Sequence, residues 1–146
     1  DTKKRAGEVI QANLKDVLGI DAAIENMDLA TYLSATAEGD YTGAIGGYTS
    51  STMVGYLVGV YHSDSINASN KTRLNDPEVD ALIDKASTTI DVEERNGYLE
   101  QCSALLNSIC SQVPLYQPVA LRAYDSNLKG VEVNDSGTIY FEKCSW

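Results

Sequence analysis

The stretch from Asn70 to Arg95 limits the fold most, because it spells two helix starts within sixteen residues. Asp76 is an N-cap residue type. Pro77 follows it at the first helical position, where a missing N–H costs nothing. Val79, Leu82, Ile83 and Ala86 then recur at helical spacing as one apolar stripe. Asp91 opens the next helix, with Glu94 three residues on, within reach of the cap. Tyr98, Leu99, Cys102, Leu105, Leu106 and Ile109 continue as a stripe three turns long. By themselves these signals describe two capped amphipathic helices joined by a short polar gap.

The rest of the chain suggests layering of helices and strands. Ala6, Val9, Ile10, Leu14, Val17 and Leu18 are spaced as a helix that Gly19 stops. Ile20 to Ile24 alternates like a strand, and Asp28 can cap a short helix carrying Leu29, Tyr32 and Leu33. Gly39-Asp40 is a turn, and Tyr41 to Tyr48 reads as a strand of small residues. Met53 to Tyr61 is an apolar helix in which Gly55 and Gly59 are out of character. Val113 to Tyr124 is strand-like, with Pro114 and Pro118 pointing to strand starts or edges. Gly130 to Phe141 reads as two short strands around Asp135-Ser136-Gly137. The expected fold class is therefore α/β, a mixed sheet flanked by helices, over residues 1–146 as a single domain.

Composition removes several functions. With 43% hydrophobic and 22% charged residues, the chain is ordinary globular material rather than a disordered segment. A net charge of −10 opposes nucleic-acid binding and docking on anionic membranes. No apolar run approaches the roughly 20 residues that span a bilayer. The opening Asp1-Thr2-Lys3-Lys4-Arg5 has no apolar segment behind it and no initiator Met, which reads as a cut piece of a longer protein.

Catalytic constellations are missing too. Cys102 and Cys110 lie eight residues apart on one expected helix, about 12 Å along its axis. A disulfide needs Cα atoms within about 7 Å. Both cysteines are expected as small apolar residues in the buried stripe. The single histidine, His62, has no i+3 or i+4 partner and sits in a polar loop from His62 to Asn75. Asp80 and Asp84 are one helical turn apart and read as a solvated face paired with Lys85 and Arg95. Gly43 to Gly47 lacks the Lys-Ser/Thr of a phosphate loop. No Ser–His–Asp set is visible, and no cofactor or metal is implied. An enzyme is not the expectation.

The order of short signals resembles the C-terminal lobe of extracellular solute-binding proteins of the oligopeptide, dipeptide and nickel class, which serve ABC importers. The resemblance runs over nearly all of the chain. It is carried by A-G-E-V-I-Q-A-N-L-K-D-V-L-G-I at Ala6 to Ile20, Tyr32-Leu33, Gly39-Asp40-Tyr41, and the Asn70, Pro77 and Asp80 signal. Asp91 to Arg95, Val113-Pro114-Leu115-Tyr116 and Lys129-Gly130-Val131 complete it. The resemblance implies a periplasmic-binding-protein-like lobe of a two-lobed protein roughly three to four times as long. It implies capture of a peptide or related small polar solute between lobes that close on a hinge. Its partners would be the remaining lobe and ABC permease subunits, and its place extracytoplasmic, in the periplasm or as a Gram-positive cell-surface lipoprotein. Free thiols are uncommon in such a setting.

The family's Gly-Trp-x-x-Asp cleft motif corresponds here to Gly47-Tyr48-Thr49-Ser50-Ser51. Gly47, Tyr48, Thr49, Ser50, Ser51 and the loop residue Asn70 are therefore the expected ligand-binding residues. Ser50 and Ser51 also sit where they can cap the helix starting near Thr52, and Asn70 where it can organise its loop. Ser51 stands where peptide binders carry the aspartate that pairs with a peptide's α-ammonium. A hydroxyl cannot neutralise a buried cation, so the usual grip on a free amino terminus is in question. The competing reading is a protein-interaction or scaffold domain with no small ligand.

Overall fold

A computed structural model describes residues 2–119, 121–134 and 137–146. Among the described residues five α-helices carry the fold: α1 (Thr2–Leu18), α2 (Leu29–Glu38), α3 (Met53–Tyr61), α4 (Pro77–Thr88) and α5 (Val92–Ile109). Short 3-10 turns follow at Ser63–Ser65 and Phe141–Lys143.

The caps behave as local chemistry dictates. Asp28 accepts from the backbone N–H of Ala30 and Thr31 and from the Thr31 hydroxyl. Those contacts, the hydroxyl's first, hold its carboxyl below the usual carboxylate range. Asp76 Oδ1 accepts from Glu78 and Val79 N–H at 2.9 and 3.2 Å, with Pro77 in the first turn. Asp91 accepts from Glu94 N–H at 2.9 Å. The Glu94 side chain does not reach back to the cap; it takes the Tyr98 hydroxyl instead. Gly19 closes α1 at φ 68° and Gly39 closes α2 at φ 83°, left-handed positions that favour glycine.

The core lies where α4 runs against α5 and α3 against α4. Leu57, Val79, Leu82, Ile83 and Cys102 are buried there, with Tyr56, Tyr61, Tyr98 and Leu106 packed around them. Burial pushes the Cys102 thiol up, so it behaves as an apolar residue rather than a nucleophile. Cys110 does not share that role. It sits exposed just past α5 at φ 53°, closing the helix in a left-handed conformation with its N–H on Leu106 O.

The α/β expectation is overturned. Among the described residues there is no sheet; the only β pairings are the isolated bridges Ile66 with Asn70, Lys129 with Ser145, and Val133 with Ile139. Ile20–Ile24, Tyr41–Tyr48 and the described part of Val113–Tyr124 are neither helix nor strand. A strand is held by backbone partners and by a buried face, and these segments have neither. Val113, Val119 and Leu121 are exposed, Val119 to 83%. Gly130–Phe141 contributes one bridge rather than two strands, and its turn residues Asp135 and Ser136 lie outside the described residues. No helix among the described residues is long and apolar enough to cross a membrane.

Candidate functional site

The candidate site is built around the start of α3. Thr52 is the N-cap, extended at φ −137° and ψ 151°, and its hydroxyl accepts from Gly55 N–H at 3.0 Å. Ser50 Oγ accepts from Thr52 N–H at 3.4 Å, so Ser50 helps close the helix start. Gly47, Thr49 and Ser51 are exposed beside it. Tyr48 is 45% exposed, yet its ring is not free. It meets Tyr56 edge to face, centroids 6.0 Å apart at 67°, and its hydroxyl end lies against Gly59. Tyr56 in turn meets Tyr61 at 6.2 Å and 69°, and its hydroxyl accepts from Gln112 Nε2 at 3.3 Å. An aromatic chain thus ties a surface ring to the core.

Tyr61 is the inner end of that chain. Burial first, then its neighbour Tyr56, pushes its phenol up to about 12 from an ordinary 10.0. The folded state therefore favours the neutral phenol. This stabilisation is complete below the unfolded value near 10 and is lost as pH rises from there through about 12. Chemical-denaturation midpoints across that window are expected to fall more steeply for the native chain than for Tyr61→Phe. Parallel curves would remove this assignment.

Asn70 stands apart from the other five residues. It is 1% exposed. Its amide donates to His62 O and Leu74 O, each at 3.0 Å, its carbonyl accepts from the Thr72 hydroxyl at 2.7 Å, and its own N–H goes to Ser65 O. It fastens the 62–75 loop beneath the C-terminal end of α3, whereas residues 47–51 gather at the N-terminal end. Around the same loop, Tyr41 donates its hydroxyl to Lys71 O, and Arg73 donates to Ala37 O at 2.6 Å. The loop is thereby tied to the end of α2.

Asp80 and Asp84 are not one solvated face. Asp80 accepts from the N–H and the hydroxyl of Ser63, holding the 3-10 turn onto α4. His62 lies between this turn and α4, largely covered, with Nδ1 accepting from Asp64 N–H and Nε2 3.4 Å from Asp84. Lys85 lies over the Tyr98 ring at 5.7 Å, and Arg95 donates to Thr89 O. Among the described residues no group of three or more His, Cys, Asp or Glu is placed to hold a metal ion. Two shallow grooves of 300 and 370 Å³ both border α1. The second is lined by Ala6, Val9, Ile10, Leu115 and Tyr116. Neither borders residues 47–51.

Sequence reasoning missed Tyr56, Gly59 and Gln112 at this site. The one signal available for Gly59 was its presence, with Gly55, in an otherwise apolar helix.

No family model matches the chain. Among curated proteins it is 23% identical over 145 residues to the oligopeptide-binding protein OppA of Bacillus subtilis, 97% of this chain and 26% of that protein. It is 25% identical over 133 residues to the periplasmic murein peptide-binding protein MppA of Escherichia coli, covering 88% and 24%. It is 26% identical over 129 residues to heme-binding protein A of Haemophilus influenzae, covering 87% and 23%. All three are named as binding proteins rather than enzymes, and two of them as peptide binders. The chain spans about a quarter of the length of each of these relatives.

Proposed function

We propose that this chain is part of the ligand-capturing lobe of a solute-binding protein that serves an ABC importer outside the cytoplasm. The observation that carries the reading is the similarity to an oligopeptide-binding protein along 97% of the chain. The solute is a peptide or a related small polar molecule, held without covalent chemistry. Tyr48 supplies a ring already fastened to the core, and Thr49, Ser50 and Ser51 supply hydroxyls just ahead of the α3 cap. Gly47 lets the backbone approach the ligand closely. Asn70 contributes through the loop it organises, its side chain being spent on that loop. The remaining lobe would close over the ligand, exclude water and strengthen the polar contacts.

A thermal-shift screen of the protein carrying this chain, with di- to hexapeptides, nickel chelates and oligosaccharides, tests the proposal. A ligand at 100 times its dissociation constant adds about 2.7 kcal/mol of stability, a readable shift. Peptide-induced stabilisation that is clearly reduced in Tyr48→Ala is the expected result. Stabilisation by sugars or chelates alone would change the solute class. A silent panel would count against solute capture.

A further inference from the structure

Glycine inside a helix loosens it, because it has the most backbone freedom to lose on folding. α3 nevertheless carries Gly55 and Gly59, four residues apart and hence on one face. Each is filled from outside by the preceding loop. A Cβ on Gly55 would meet Ser50 Oγ at 2.7 Å and Thr52 Oγ1 at 3.0 Å. A Cβ on Gly59 would meet Tyr48 Cε1 at 2.9 Å and come closer still to Cζ and the hydroxyl oxygen. The Gly55 contacts involve two small hydroxyl groups, Ser50 Oγ and the capping Thr52 Oγ1, and neither belongs to Tyr48. The Gly59 contact involves three atoms of one rigid ring, which has to move as a unit.

From this we infer that Gly59 is a positioning residue for the candidate ligand-binding surface: it seats the Tyr48 ring against α3 and fixes the face that the ring presents. The second wall of the seat is Tyr56, which meets Tyr48 edge to face and is itself braced by Tyr61 and Gln112. A ring held at its hydroxyl end and along one edge has little freedom left to lose when a ligand arrives, so more of the contact energy appears as affinity. Gly59 touches no ligand in this account and acts through Tyr48. The part of the inference that concerns affinity rests on the solute-binding reading; the seat itself does not.

The test is Gly59→Ala, made alone and with Tyr48→Ala, in the chain and in the protein carrying it. Two readouts need no ligand. First, the Tyr48 ring-proton resonances are expected to move in Gly59→Ala, as the ring leaves the neighbourhood of Tyr56. Second, Gly59→Ala is expected to lower the melting temperature when Tyr48 is present and to raise it in the Tyr48→Ala background. There the clash is gone and only alanine's better helix propensity remains. Unmoved Tyr48 resonances, or a stability change of the same sign in both backgrounds, would overturn the seat. Gly55→Ala, whose added Cβ meets Ser50 and Thr52 but not Tyr48, serves as the control for a glycine replacement elsewhere on α3, and the Tyr48 resonances are expected to stay in place in it. With the di- to hexapeptides of the screen as probes, Gly59→Ala is expected to weaken binding roughly three- to tenfold, the scale of one well-placed aromatic contact. The double variant is expected to bind no worse than Tyr48→Ala alone. Moved resonances with unchanged peptide affinity would keep the seat and overturn its role in binding. A reversal of stability with no peptide bound by any variant would count against the solute reading and leave the seat standing.

Discussion

Ile83→Ala is expected to cost about 2–5 kcal/mol, the usual range for truncating a fully buried aliphatic side chain. Ile83 is fully buried between α3 and α5, in a cluster with Leu57, Val79 and Cys102. Against a typical total of about 5–15 kcal/mol, such a loss moves a large share of molecules to the unfolded state. Urea denaturation followed by far-ultraviolet circular dichroism measures it. The expected result is a strongly lowered midpoint with an unchanged slope. A midpoint close to that of the native chain would mean that α4 is not the centre of the core. The same change at Val92, which is exposed at the start of α5, should do little.

Asn70→Ala is the second large effect, and it acts on polar groups rather than packing. The substitution removes three side-chain hydrogen bonds and leaves the Leu74 carbonyl without a donor, while the His62 carbonyl keeps Ser65 N–H and the Thr72 hydroxyl keeps Val60 O. A neutral hydrogen bond contributes about 1 kcal/mol net, and a buried group left unsatisfied costs about 1–3 kcal/mol, so a total near 3 kcal/mol is expected. Asn70→Asp should be no better. It keeps the acceptor but aims a carboxylate at two carbonyl oxygens. Amide hydrogen exchange locates the damage. Protection is expected to fall across residues 62–75 first, with α5 less affected. Unchanged protection there would show that the loop is held by Arg73 and Tyr41 on the α2 side rather than by Asn70.

The helices were legible because their signals are local. Asp28, Asp76 and Asp91 each accept from N–H groups two or three residues on, and a cap of that kind can be read from spacing alone. The strands were not legible, because a strand is a property of two segments. Ile20–Ile24 alternates as a strand should, but among the described residues nothing pairs with it, so its alternation has no consequence. Cys110 was misplaced for a related reason. Its spacing from Cys102 continues the stripe, but the helix ends one residue before it and turns it outward. Asp80 looked like surface charge until the Ser63 turn folded back onto it.

At the candidate site, Tyr48 was singled out by resemblance to a family motif, not by any physical signal in its neighbourhood. What holds it came only from the fold. Gly59 is eleven positions away and reads from sequence as a weak point in a helix, and Gln112 reaches Tyr56 across 56 positions. Long-range contacts of this kind leave no periodicity to detect.

The central claim is that residues 47–51 at the start of α3 meet a small solute. Chemical-shift mapping by heteronuclear NMR tests it most directly, with the isotope-labelled protein titrated with the di- to hexapeptide set. The account predicts saturable shifts centred on Gly47 to Ser51 and spreading to Tyr56 and Gly59. Shifts gathered instead around α1, Leu115 and Tyr116, or none with any peptide, would contradict it.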